Sequence, residues 1–300
     1  MNDSNEHTPR LAGAPISWGV CEVPNWGIQL PSERVLADMR DLGLGATELG
    51  PDGFLPSDPA RLHALLESFG LELCGGFVTA ALAHGDLEAE IHQVQSHVDT
   101  LAGAGAHTMV LALVSGHEGY DQAPSLEARE WERVLGGVER IRTLVEQAGM
   151  ECALHPHVGT LVERAHDVEI VQDNADIGWC LDTGHLMVGG VDPVEFTRAN
   201  AQRITHVHLK DVDAAVAAQV ARGQLGYADA VAAGLYVPLG AGDIDMESII
   251  TTLEHAHYRG WYVLEQDMRL TADDASPVDA ARASIDATRN LFAGLVQGAS

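Results

Sequence analysis

Short apolar runs alternate with longer segments of helical period from one end of the chain to the other. The runs read as strands at Leu11–Ser17, Gly45–Glu48, Leu71–Val78, His107–Val114, Glu151–His155, Ile177–Asp182, Ile204–Leu209 and Tyr262–Glu265. The segments between them predict helices at Pro31–Leu42, Asp58–Phe69, Leu87–Ala102, Leu126–Gln147, Val162–Gln172, Pro193–Asn200, Asp245–His257 and Pro277–Leu295. Ser57-Asp58-Pro59 and Asp192-Pro193 put a capping side chain and a proline where a first helical turn wants them, and Gly43, Gly70, Gly149 and Gly260 follow helix ends. Eight strand-then-helix units without a break in composition predict an α/β fold: a single closed (β/α)8 TIM barrel over residues 11–300, behind a short polar tail at residues 1–10. An open doubly wound sheet is the competitor. The turn after the first strand, Ser17-Trp18-Gly19-Val20-Cys21, lacks the glycine-rich phosphate fingerprint such a sheet would carry. One long stretch after strand seven, Ala214–Gly242, reads as an extended irregular loop on the barrel's C-terminal face, where it would serve as a lid or wall.

That same face collects the candidate chemistry. Strand five ends His155-Pro156-His157, strand six ends Asp182-Thr183-Gly184-His185, strand seven reads His206-Val207-His208-Leu209-Lys210-Asp211, and strand eight ends Glu265-Gln266-Asp267. Four neighbouring strand ends thus offer His155, Asp182, His208 and Glu265, a nitrogen and carboxylate set suited to one Mn, Co, Fe or Zn ion rather than Ca. Strand alternation sends His206 and His208 to the same face, as it does His155 and His157 if the strand runs through Pro156. His117, His255 and His257 lack such company. Glu48, ending strand two, is either a substrate ligand or the partner of an arginine. Trp18, ending strand one, is either a stacking floor for a sugar ring or a core residue.

Composition narrows the partners. Acidic residues outnumber basic ones 44 to 17, a formal net charge of −27, which argues against nucleic acid. The only lysine in the chain is Lys210. No apolar run approaches the roughly 20 residues of a membrane span, and Met1–Pro9 lacks the pattern of a secretory signal, so cytoplasm is the expected location. Four cysteines without a CxxC pair read as reduced thiols. A homo-oligomer is compatible with all of this.

The chain resembles the xylose-isomerase-like barrel superfamily and, within it, the inosose dehydratases of inositol catabolism. The likeness rests on Ala14-Pro15-Ile16-Ser17-Trp18-Gly19, Thr47-Glu48-Leu49-Gly50, His155-Pro156-His157-Val158-Gly159-Thr160, Leu181-Asp182-Thr183-Gly184-His185, His206-Val207-His208-Leu209-Lys210-Asp211, Val237-Pro238-Leu239-Gly240-Ala241-Gly242-Asp243 and Leu264-Glu265-Gln266-Asp267. It implies metal ligation by Asp182, His208 and Glu265, with His155 as fourth ligand where the isomerases and endonucleases of this fold have a glutamate. It further implies dehydration of 2-keto-myo-inositol to a trihydroxycyclohexane-1,2-dione. A divalent metal, Mn or Co before Zn or Fe, would then act as Lewis acid, with His157 and His185 shuttling protons. Lys210 would bind a substrate hydroxyl or carry a proton to the leaving water. The competing expectations are a ketose isomerase or epimerase, a sugar-binding barrel without catalysis, and an AP endonuclease, which the net charge opposes.

Overall fold

The computed structural model describes residues 9–116, 120–121, 124–271 and 276–298. Apart from Pro9 and Arg10, the tail expected at residues 1–10 lies outside them, as does His117. Eight parallel strands close a barrel: β1 (Leu11–Gly13), β2 (Ala46–Glu48), β3 (Glu72–Ala80), β4 (Thr108–Leu113), β5 (Glu151–Leu154), β6 (Gly178–Asp182), β7 (Ile204–Leu209) and β10 (Tyr262–Leu264), which returns to pair with β1. A further pair, β8 (Asp211–Val212) and β9 (Tyr236–Val237), runs antiparallel above β7. The helices are α1 (Ser32–Asp41), α2 (Pro59–Phe69), α3 (Leu87–Gly103), α4 (Ala128–Gln147), α5 (Ala165–Asn174), α6 (Thr183–Val188), α7 (Pro193–Asn200), α8 (Ala214–Ala221), α9 (Tyr227–Ala232), α10 (Met246–His255) and α11 (Pro277–Gly298).

The barrel is the single closed one that the alternation predicts, with two local corrections. Strand β1 stops at Gly13 instead of reaching Ser17, because Pro15 brings no N–H and opens a 3-10 turn at Pro15–Trp18. The stretch after β7 is ordered: Asp213 caps α8 by accepting the N–H groups of Ala215 and Val216, and α9 and β9 follow.

Two cores result. Leu36, Leu62, Leu101, Ile141, Val171 and Ile249 are buried in the layer between sheet and helices. Inside the barrel, alternation leaves the lower inward positions to small residues, among them Ala12, Ala46, Ala153 and Cys180. The next inward position up belongs to the functional residues. No helix among the described residues is long and apolar enough to cross a membrane, and the four cysteines are free.

Candidate active site

Two residues above that small-residue layer, the inward positions are Glu48 on β2, His155 just past β5, Asp182 at the end of β6, His208 on β7 and Glu265 just past β10. His155 keeps to the ladder through its N–H, which donates to Leu111 O at 2.8 Å. Asp182 divides its carboxylate. Its Oδ1 accepts the His185 N–H at 2.7 Å and so caps α6, while Oδ2 turns inward.

Four donor atoms meet around that oxygen. Asp182 Oδ2 lies 3.4 Å from both His155 Nε2 and His208 Nδ1, His155 Nε2 is 3.3 Å from His208 Nδ1, and His208 Nδ1 is 2.9 Å from Glu265 Oε2. Donors held about 2.0–2.2 Å from one ion stand roughly 2.9–3.6 Å apart around it, so these separations suit a shared cation. Hydrogen bonding does not fully account for them: Glu265 Oε2 is buried without a hydrogen-bond partner, and Asp182 Oδ2 has only the Lys210 ammonium, 3.3 Å away. A buried carboxylate oxygen left unpaired costs about 1–3 kcal/mol or more, unless something fills the point the two share. The donor set therefore fits a divalent cation.

The surroundings prepare it. His208 Nε2 and His206 Nε2 both donate to Glu48 Oε1 at 2.9 Å, which leaves the His208 Nδ1 lone pair facing the shared point. Burial would raise the Glu48 carboxyl, but the two imidazoles hold it below the ordinary carboxylate range. Lys210 is fully buried, with Nζ 2.8 Å from Glu265 Oε1, 2.9 Å from Asp267 Oδ1 and 3.3 Å from Asp182 Oδ2. Burial works against its charge, yet these carboxylates keep its ammonium form well above the usual range. Tyr227 of α9 donates to Asp267 Oδ2 at 3.0 Å, which leaves Tyr236, 3.0 Å from it, to donate to the Tyr227 oxygen.

The xylose isomerase-like TIM barrel family profile matches residues 36–291. The chain belongs to that family. It is 34% identical to the rhizopine catabolism protein MocC of Rhizobium meliloti, over 86% of this chain and 81% of that one. Identity with the inosose dehydratase of Geobacillus kaustophilus is 33%, over 86% and 87% of the two chains. Two solved structures with the family's fold are an L-ribulose 3-epimerase (TM-score 0.72, 15% identity, 97% of each chain) and the IOLI protein with a zinc atom (TM-score 0.70, 14% identity, 95% and 98%).

A cavity of about 290 Å³ opens above the cluster, lined by Glu48, His155, His157, His208, Glu265 and Asp267 and walled by Ile16, Leu49, Phe77, Tyr120 and Tyr227. Of the expected catalytic residues, only His157 lines it. Its Nδ1 donates to Val158 O at 2.7 Å, and burial with the neighbouring His155 and Lys210 pushes its pKa down to about 3, so the ring is neutral with its lone pair on Nε2. His185 stacks behind it, ring centroids 3.7 Å apart, without reaching the cavity. Lys210 does not line the cavity: it lies beneath the floor, its ammonium held by Glu265, Asp267 and Asp182. Glu48 meets two histidines and no arginine. Trp18, 1% exposed, packs against Gly13 and Leu44 on the outer side of β1 and does not line the cavity, because the turn at Pro15 carries it away from the barrel mouth. Three participants escaped the sequence reading. Tyr227 lay in the stretch read as irregular, and Phe77 lay unremarked within the strand Leu71–Val78. Asp211 accepts the N–H groups of Val212, Gly240, Gly242 and Ile244 and so gathers the loop above β7. A Cβ on Gly242 would stand 2.3 Å from Asp211 Oδ1, which explains the Gly-Ala-Gly there; an aspartate after a strand, followed by a glycine-rich turn, is a signal that could have been read.

Proposed function

We propose that this protein is a metal-dependent hydro-lyase that removes water from 2-keto-myo-inositol (scyllo-inosose), giving a trihydroxycyclohexane-1,2-dione. The observation carrying this reading is the convergence of His155, Asp182, His208 and Glu265, with two buried carboxylate oxygens aimed at a common point beneath a cavity that His157 lines. The similarity to inosose dehydratase over most of the chain supports the substrate. His155, Asp182, His208 and Glu265 hold the ion, for which Mn or Co is the first choice and Zn or Fe the second. When bound, it supplies Lewis acidity toward a ketone oxygen. His157, neutral and with Nε2 free, takes the proton from the carbon beside the ketone and returns it to the departing β-hydroxyl, which leaves as water. His185 keeps the His157 ring in place by stacking. Lys210 and the cation together offset the carboxylates of Asp182, Glu265 and Asp267, so the floor presents no large net charge to an uncharged polyol ketone. Four free thiols, three of them buried, suit a reducing compartment such as the cytoplasm.

Incubation of the purified protein with scyllo-inosose and Mn²⁺ or Co²⁺ tests the reading. The dione's ultraviolet absorbance should grow and should disappear with a chelator. Epimerised ketohexoses without any dione would overturn it in favour of the isomerase and epimerase chemistry of the same fold.

A further inference from the structure

Phe77 is the feature of the cavity that the chemistry above leaves unused. Strand β3 places Gly75, Phe77 and Thr79 on its inward face: a Cβ at Gly75 would stand 3.3 Å from the His206 ring, inside the barrel. Two residues further up, Phe77 is 37% exposed, and that exposure is toward the cavity. Its ring meets His155 edge-on at 5.9 Å and His157 at 5.7 Å, the one a ligand and the other the proposed base. A large aromatic ring left partly uncovered beside the reacting groups forgoes burial that folding alone would favour. Leu49 of the β2 loop and Ile16 of the β1 turn add apolar surface on the same side, where Glu22, Thr79, Gln93 and His97 also line the cavity, so Phe77 is the aromatic face of a mixed wall opposite the metal side.

We infer that Phe77 is a specificity-determining residue that stacks on the C–H face of a cyclic polyol whose oxygens face the metal side. A ring with all its hydroxyls equatorial presents hydrogens alone above and below its plane, an apolar surface for an aromatic face. An axial hydroxyl pointed at the Phe77 ring would lose its water and gain no hydrogen bond from that ring. The wall thus selects all-equatorial cyclitols over stereoisomers with axial hydroxyls, and rings over open-chain ketoses.

The inference rests on the cyclitol reading above, and unreactive ligands separate the two. Titration calorimetry on the Mn²⁺-loaded enzyme compares scyllo-inositol, all-equatorial, with D-chiro-inositol, which carries an axial hydroxyl on each face. Wild-type protein should bind scyllo-inositol about tenfold tighter. Phe77→Ala should bring the two within about twofold, Phe77→Leu should do the same while filling the space, and Phe77→Tyr should keep the preference. An unchanged ratio in the alanine and leucine variants, with melting temperatures near wild type, overturns the assignment. A preference for scyllo-inositol that depends on Phe77, in a protein that does not dehydrate scyllo-inosose, would sink the dehydratase reading and leave this one standing.

Discussion

The two sides of the barrel share a backbone and differ in what they point inward. At the upper inward positions β2, β5, β6, β7 and β10 carry Glu48, His155, Asp182, His208 and Glu265, whereas β1, β3 and β4 carry Ala14, Phe77 and Ala112. Both sides rest on the same layer of small residues, so the contrast is not one of fold. On the first side, buried polar groups are held together at the expense of carboxylate oxygens left short of partners; on the second, an aromatic ring is left partly uncovered. Each side departs from what folding alone would choose, and in opposite directions. The lesson is that a site can be recognised by its debts as well as its donors.

Substitution on the polar side should therefore cost activity far more than stability, and Asp182→Asn should show the largest effect. The amide oxygen can still accept the His185 N–H, so α6 keeps its cap and the melting temperature should stay within a few degrees. The neutral side chain weakens the cation site, and dehydration should fall by about 10³-fold or more together with bound metal. Metal retention at wild-type levels, measured by elemental analysis, would remove Asp182 from the ligand set. Lys210→Met comes next and reverses the pattern. Without the ammonium, Asp182, Glu265 and Asp267 face one another uncompensated, and the metal-free protein should lose about 3–5 kcal/mol. Saturating Mn²⁺ should restore part of that in a thermal melt. An unaltered melt would mean that the lysine is not the counter-ion of the floor.

Much of this was legible in advance, for reasons particular to each element. The eight strands were readable because each is a short apolar run closed by a turn, and the convergence of His155, Asp182, His208 and Glu265 because strand alternation and a common barrel edge bring them together without any knowledge of loops. Helix α6 was not, since Thr183–Val188 looks like a continuation of β6 until Asp182 is seen to cap it. The surroundings of Lys210 and the choice between the two readings of Trp18 were not legible for one reason: a strand-end position fixes height on the barrel but not how much space lies beside it. Lys210 is surrounded by acids, and Trp18 is turned outward by the Pro15 turn.

Glu48→Gln tests the boundary between the sides, because β2 lends its carboxylate across the barrel to His206 and His208. The amide oxygen is a weaker acceptor for two N–H donors, and its NH₂ group adds donors where only acceptors are wanted. Metal affinity or kcat should drop about 10–100-fold. A change confined to KM would instead make Glu48 a substrate ligand.

Trp18→Phe should have the smallest effect, and it asks which aromatic residue belongs to the site. Trp18 is buried against Gly13 and Leu44 with its Nε1 lacking a hydrogen-bond partner. Phenylalanine gives up part of the packing, at about 1–3 kcal/mol for a poorly refilled space, but also removes a buried donor that costs about 1–3 kcal/mol unpaired. These opposing terms should leave stability within about 1 kcal/mol of wild type, and KM for scyllo-inosose should stay within about twofold because the ring does not line the cavity. A Trp18→Phe enzyme with sharply raised KM and an intact melt would return the stacking role to strand one and cancel the division between a metal-holding side and a ring-facing side led by Phe77.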